Sequence, residues 1–474
     1  MDEIIFSAPE YQADQSLQTV RYRYRGSVDT GWNIEREGHH WLKLGPGYVP
    51  LQTLFCGICS TDLARHHLPF PLPQITGHEL IAEYRGEAVA VEINASHAAR
   101  GMVNHDCEYC RDGLDIHCPD RMTLGIDRLP GGFSPWVLAP IYAIHSLPRT
   151  VTPQAGALIE PFAAAVKAVE VSPPSTGDHV AVLGPRRLGM LIIAALDSHR
   201  KLHGKQFEIT AVMRHPELKA TAQQLGADKV IVTQPGEHTD TDKKFDIVFD
   251  TTGTPSGFEV AMGMSRQTVH LKSTHGRSVM GFDNMTAMVI NEQVLTAFNE
   301  DKFCRLTAGQ SARSLSRAIY ISASLLQQDC VSHLDETWER LSPVDADLFG
   351  DADLKQFDIA LVSSIDELHK VTRPYSIQGQ SLLKAGGTVL FAMDEQLQDK
   401  SRLLKEISQR NLQIVTSRCG SFARTIEMLR QLPELSAKLQ KHLVTQTMEL
   451  TQLAAAMQLA GQSEKSIKVI VKTN

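Results

Sequence analysis

The first residues, MDEIIFSAPEYQ, lack what a secretory leader needs: acids stand where Lys or Arg would be, and no apolar core follows. A cytoplasmic protein is expected. A membrane span is missing too, because the longest apolar stretch, VAVLGPRRLGMLIIAAL, is broken by two arginines. Basic charge is not in excess: 47 Lys and Arg against 54 Asp and Glu leave a net charge of −7. That balance gives no reason to expect nucleic acid or an anionic lipid surface as a partner. Cysteine is sparse, eight in 474 residues, too few for a disulfide framework. Five of the eight crowd between Cys56 and Cys118, and clustered cysteines in a cytosolic chain favour metal or catalysis. Cys304, Cys330 and Cys419 are scattered and read as buried thiols.

A chain of 474 residues exceeds one ordinary core, so two domains are expected, with room for an insertion. The first third is rich in short β-branched or aromatic runs, TVRYRYRG, VPLQTLFCG, EAVAVEI and FSPWVLAP. These predict an irregular antiparallel β domain. From about Gly177 strands and helices alternate: DHVAVLG, LGMLIIAALDSH, FEITAVM, PELKATAQQLGA, KVIVT. That alternation predicts βαβ units and an α/β domain with a parallel sheet.

The run FDIVFDTTGTPSGFEVAMGMSRQTVHLKS is echoed by FDIALVSSIDELHKVTRPYSIQGQSLLKAGGTVLFAM, starting at Phe245 and Phe357. Both read strand, helix, strand, and each is followed by a further helix and strand. Either a partial internal duplication of the second half of a doubly wound sheet, or the shared pattern of any two βαβ units, accounts for this. Both enlarge the α/β domain. The stretch between, residues 300–356, is polar and helix-prone.

FCGICSTD and ITGHEL carry the first chemistry. Cys59 and His78, a soft and a borderline ligand separated by a short segment, suit zinc. Glu79 adds a carboxylate, Thr61 offers a hydroxyl beside Cys59, and Asp62 is placed to orient the His78 ring. GALIEPFAAA puts Glu160 before a proline at a helix start, a second candidate carboxylate. In NHDCEYCRDGLDIHC, Cys107, Cys110 and Cys118 have metal-binding spacings. A closed zinc site wants four ligands, and only three cysteines are there.

Taken in order, GICSTD, GHE, the cysteine run, IEPFAAA and a later nucleotide fold resemble the zinc-dependent medium-chain dehydrogenases. Within them the resemblance is to the threonine- and polyol-dehydrogenase-like group, whose third zinc-region acid sits in an EP motif. GIDRLPGGFSPWVLAP and VTSRCGSF resemble stretches of the same group, and the similarity covers nearly everything outside residues 300–356. The resemblance implies a GroES-like catalytic β domain over residues 1–165, completed by 420–474. A Rossmann-like doubly wound parallel sheet would cover 166–419, enlarged by the insertion near 300–356. The implied activity is an oxidoreductase interconverting a secondary alcohol (a polyol, amino alcohol or hydroxy acid) and a ketone by hydride transfer with NAD(P). A small-molecule substrate and a homo-oligomer of two or four copies go with it. Cys59, His78 and Glu160 or Glu79 would hold the catalytic zinc, and Thr61 would begin the proton relay. Where some members have a relay histidine this chain has Ala64, with His66 two residues on.

Two signatures depart from the family. Its members usually carry four cysteines in a lobe loop, and here the first position is Asn104, a poor zinc ligand. Either His105 or Asp106 completes a second, structural zinc site, or packing alone holds the lobe. After VAVLG the dinucleotide fingerprint reads GPRRLG where GxGxxG is expected. Gly184 and Gly189, with Leu188 between the arginines and the second glycine, keep the tight turn and the close helix packing. Arg186 takes the middle glycine's place and either pairs with a phosphate or fills the pyrophosphate site. An NAD-selective site would carry an acid near Met213; Arg214 leans instead toward NADP. Thr252, in FDTTG, is a candidate cofactor contact. These departures support the alternative, a catalytically silent relative acting as a binding or scaffold protein.

Overall fold

Alternation of apolar and charged residues makes the N-terminal strands two-faced. In TVRYRYRG, Val20, Tyr22 and Tyr24 are buried while Arg21, Arg23 and Arg25 point away from the core, the period of two expected of a half-buried strand. The computed structural model describes residues 2–102, 106–234, 244–273, 276–308, 317–325, 334, 338–341, 356–375, 381–392, 401–462 and 466–474. The chain forms two units, Met1–Ala164 with Cys419–Asn474, and Ala165–Arg418. No described helix is long and apolar enough to cross a membrane.

In the first unit β1 (Asp2–Tyr11), β2 (Leu17–Ser27), β3 (Gly31–Arg36) and β4 (His39–Leu44) form an antiparallel meander in sequence order. A second sheet is built from β5 (Tyr48–Gly57), β6 (Glu79–Tyr84), β7 (Glu87–Val91), β10 (Trp136–Pro140) and β11 (Ile144–Ser146). The short β8 (Asn94–Ala95) and β9 (Met122–Thr123) pair beside it.

Glu10 is fully buried under the meander. Arg36 grips it through Nε to Oε1 at 2.8 Å and a second nitrogen to Oε2 at 2.6 Å, while Tyr22 and Gln12 donate to the same carboxylate. Burial pushes the Glu10 pKa up, but the bonds from Arg36, Tyr22 and Gln12 outweigh it and hold the value below normal. The sign follows directly. A folded pKa below the unfolded one gives stability present above the unfolded value and lost as pH falls through the folded value. Glu10→Ala is therefore expected to destabilise the protein by about 2–4 kcal/mol at neutral pH. Its thermal midpoint should also fall less steeply below the carboxylate range than that of the wild type; parallel acid limbs would exclude the role.

Among the described residues, the second unit holds one sheet of eleven strands. In chain order they are β12 (His179–Leu183), β13 (Glu208–Met213), β14 (Lys229–Val232), β15 (Phe245–Asp250), β16 (Ser265–Leu271) and β17 (Val294–Ala297). There follow β18 (Arg317–Ile321), β19 (Trp338–Leu341), β20 (Phe357–Val362), β21 (Leu383–Phe391) and β22 (Gln413–Thr416). The spatial order is β14-β13-β12-β15-β16-β22-β17-β21-β20-β18-β19, parallel throughout except where β22 meets β17. The doubly wound sheet read from the strand–helix alternation is present. One reading needs correction: the polar stretch 300–356 holds the helix Glu300–Ala308 but also β18 and β19. Ile319 and Tyr320 are fully buried, and such short strands show no helical or alternating period long enough to read.

The chain then returns to the first unit. Its tail supplies β23 (Val444–Glu449) and β24 (Lys468–Lys472), and β24 pairs antiparallel with β5. That register sets Ile470 opposite Gly57 and brings Lys468 to the end of β5.

Candidate metal centres and nucleotide turn

Cys59 follows the end of β5 and precedes the short helix Ser60–Leu63, and His78 immediately precedes β6. Because β5 and β6 are paired, with Gly57 opposite Glu79, two sequence segments meet at one strand end. Asp62 ties them together. Its Oδ2 accepts from the Cys59 backbone N–H at 2.8 Å and its Oδ1 from that of Gly77 at 3.1 Å. Oδ1 also lies 3.4 Å from His78 Nδ1, which turns the other ring nitrogen away from the carboxylate. The donors of Cys59, His78 and Glu79 all lie within 4.8 Å of one another. Thr61 Oγ1 is 3.6 Å from Cys59 Sγ.

The electrostatics of this point favour a cation. Burial disfavours a charged His78, yet Asp62 and Cys59 overcome it and hold the ring's pKa well above its usual value. Glu79 is buried and ion-paired with Lys468, itself 4 % exposed, whose Nζ also donates to Ile58 O at 3.0 Å. Glu160 lies in the first turn of the helix Ile159–Val171, outside the 4.8 Å donor group. Burial pushes its carboxyl up to about 7, with His78 and Lys468 opposing and Glu79 and Asp62 adding to the rise. Thiol, imidazole and carboxylates around a spot that prefers positive charge fit zinc.

A second donor group lies in the cysteine lobe. Cys107, Cys110 and Cys118 converge with His97, all donors within 4.8 Å. His97 Nδ1 is 3.3 Å from Cys118 Sγ, and His97 Nε2 is 3.5 Å from Asp120 Oδ2. Of the two residues expected as a fourth ligand, Asp106 is not in this group and His105 lies outside the described residues. Three thiols and an imidazole are again a zinc donor set, and the carboxylate on the far ring nitrogen is the usual orienting partner of a metal-bound histidine. Neither His97 nor Lys468 stands out in the sequence. His97 sits ten positions before Cys107, outside any short ligand spacing, and Lys468 is one buried lysine in an apolar strand. Among the scattered thiols, Cys304 is exposed and Cys419 half-buried, contrary to the expectation, and Cys330 lies outside the described residues.

In the second unit Gly184 has φ +72°, and a Cβ there would stand 2.8 Å from Thr252 Cγ2; one on Gly189 would stand 2.7 Å from Thr251 Oγ1. Both glycines are thus required by the turn. Arg186 is the N-cap of the helix Arg187–His203, and its side chain makes no cap. Burial and Arg187 lower the Arg186 pKa, against Glu217. Leu188 is half-buried in the first turn, and Arg214 is exposed after β13. Thr252 props Gly184, and its hydroxyl donates to Asp250 Oδ1 at 2.7 Å.

Comparison with known proteins agrees with this architecture. Residues 45–149 match the alcohol dehydrogenase GroES-like domain. Over 248 residues the chain is 32% identical to the (R,R)-butanediol dehydrogenase of Bacillus subtilis, covering 45% of this chain and 66% of that protein. It is 27% identical over 241 residues to the L-threonine 3-dehydrogenase of Pectobacterium atrosepticum, covering 46% of this chain and 63% of that protein. The chain therefore spans less than two thirds of these relatives. Its fold is that of an Escherichia coli CFT073 alcohol dehydrogenase crystallised with NADH, at a TM-score of 0.59, 16% identity and 99% coverage of both chains. In the matched domain and in these relatives, the chain is similar to the zinc-dependent medium-chain dehydrogenases.

Proposed function

We propose that the chain is a zinc-dependent oxidoreductase that interconverts a secondary alcohol and a ketone with NAD(P), acting on a small molecule in the cytoplasm. The observation that carries this reading is the Cys59–His78–Glu79 donor group with Asp62 bonded to both of its segments. The relatives named for butanediol and threonine dehydrogenation support a vicinal diol, polyol or amino alcohol as substrate. Zinc, when bound, polarises the substrate oxygen, and a nicotinamide takes or gives the hydride.

The chain's own residues do the rest. Cys59 and His78 hold the metal. The third ligand is Glu79, which lies in the donor group and is ion-paired with Lys468, or Glu160. Asp62 fixes the His78 ring so that its free nitrogen faces the metal. The Thr61 hydroxyl carries a proton between the substrate oxygen and solvent. His97, Cys107, Cys110 and Cys118 hold a second zinc that is structural. The Gly184–Gly189 turn receives the pyrophosphate, with Arg186 beside it and Arg214 at the adenosine ribose, which favours NADP. The test is reduction of NAD(P)+ by a panel of vicinal diols, polyols and amino alcohols using zinc-loaded protein. No turnover of any of them would overturn the reading.

Arg214 sets the cofactor preference in this scheme. A charge-assisted phosphate bond contributes about 1.5–3 kcal/mol, so Arg214→Ala should weaken NADPH roughly tenfold or more and leave NADH nearly unchanged. Arg186→Gly should weaken both cofactors. Calorimetric titration measures these effects, and tighter binding of both by Arg186→Gly would show that the arginine fills the site instead.

A further inference from the structure

Apart from the outer strand β14, the two ends of the eleven-stranded sheet, among the described residues, follow the same strand order. From its outer edge inward the first half runs β14-β13-β12-β15-β16, and the second runs β19-β18-β20-β21. Equivalent strands carry equivalent details. Phe245 and Phe357 open β15 and β20, and each strand has a register shift two residues later against its neighbour, β16 or β21. Asp246 Oδ2 accepts from His179 N at 2.8 Å, and Asp358 Oδ2 accepts from Ala318 N at 3.3 Å, each at the start of the adjacent strand. Asp246 is paired with Arg266 and Asp358 with Lys384, each the second residue of the following strand. Thr254 and Ser364 then cap the next helices through the same third-residue N–H. The cap is shared by other helices of the chain, but the matching registers and acids support a duplication that reaches back to β18 and β19.

The last strands of the two halves are exchanged. β17 follows β16 in the chain but pairs with β21, whereas β22 follows β21 but pairs with β16. The two meet antiparallel at the centre, Leu295 opposite Ile414, both fully buried. One apolar core runs through both halves, from Val248 and Phe258 to Phe357, Val362 and Leu383. Without its twin, each half would present a bare edge at this strand, a template for another chain.

The halves differ beside the turn proposed for the pyrophosphate, where a Cβ on Gly257 would meet Thr252. The first carries Gly257 at the third position of its capped helix, and the second carries Glu367. Glu367 Oε2 accepts from Ser363 N at 2.8 Å and from its hydroxyl at 3.1 Å, and Ser322 Oγ lies 2.9 Å from Ser363 Oγ. A carboxylate with hydroxyls closed around it sits at the ends of β18 and β20, where it repels a pyrophosphate.

We propose that the second half is a built-in partner: it covers the sheet edge at β22 and β17 in place of a second copy, and it takes no dinucleotide. The second clause rests on the nucleotide reading of the first half. Covalent linkage makes the central pairing intramolecular, with an effective concentration that dilution does not change. Assembly of several copies must then use other faces.

Hydrogen exchange read by mass spectrometry tests the pairing in the full chain. The amides of residues 294–297 and 413–416 should stay equally protected from concentrated to highly dilute protein. Protection that disappears on dilution would show an edge paired between chains and overturn the proposal. Calorimetry with NADH and NADPH tests the silence of the second half: one cofactor per chain is expected, and two would overturn it. Absence of any cofactor binding would sink the nucleotide reading of the first half and with it the second clause. The exchange experiment would still decide the built-in partner.

Discussion

Cys59→Ser is expected to remove one zinc per chain and to lower turnover roughly a thousandfold or more, while the fold survives. The polarising charge of a catalytic metal is worth several kcal/mol in the transition state, and about 4 kcal/mol corresponds to that factor. A serine hydroxyl is not ionised near neutrality and replaces a thiolate poorly. The fold survives because the bond to Asp62 runs from the backbone N–H of residue 59, which serine keeps. Asp62→Ala should behave differently. It strips the acceptor from the N–H groups of Cys59 and Gly77 together, at about 1–3 kcal/mol for each buried group left unpaired. Zinc and thermal stability should then fall in parallel. Metal analysis, steady-state rates and thermal melts on the two variants separate ligand from scaffold. A Cys59→Ser protein with full zinc and full activity would exclude Cys59 as a ligand.

The legible parts of the molecule were those in which contact and sequence spacing coincide. GICSTD and GHE announce their chemistry because Cys59 and His78 flank paired strands and their acids lie within a few residues. The echo from Phe245 to Phe357 was visible because apolar strands of buried length repeat their composition. What stayed hidden depends on partners far along the chain. Lys468 reaches Glu79 only because β24 pairs with β5 across roughly four hundred residues, and no local pattern encodes that. The exchange of β17 and β22 is likewise a matter of pairing: either last strand would read the same beside either neighbour. β18 and β19 lie in a polar setting, and a strand of four or five residues there is too short to betray its period.

His97 is the sharpest case of a residue that only the fold reveals, and it carries the second large expected effect. Protein purified without chelators should hold two zinc ions per chain, and His97→Ala should hold one, retaining the metal at Cys59 and His78. Each tenfold loss of affinity corresponds to about 1.4 kcal/mol, so losing one of four ligands, at roughly a thousandfold, costs about 4 kcal/mol of lobe stability. In a unit of this size that should lower the thermal midpoint by roughly 10 °C. His97→Cys rebuilds a four-thiolate set and should recover both metal and stability, which a merely structural histidine would not allow. Asp120→Asn removes the carboxylate from the far ring nitrogen and should weaken the same ion by roughly 10–100-fold without emptying the site. Cobalt in place of zinc gives a readout independent of activity, because its absorption reports how many sulfur donors surround it. At the lobe ion three sulfurs in the wild type and four in His97→Cys are expected, beside the single sulfur that Cys59 gives the other ion. An unchanged zinc content in His97→Ala would mean that the lobe takes its fourth ligand elsewhere, and an unchanged content in Cys110→Ser that it binds no metal at all.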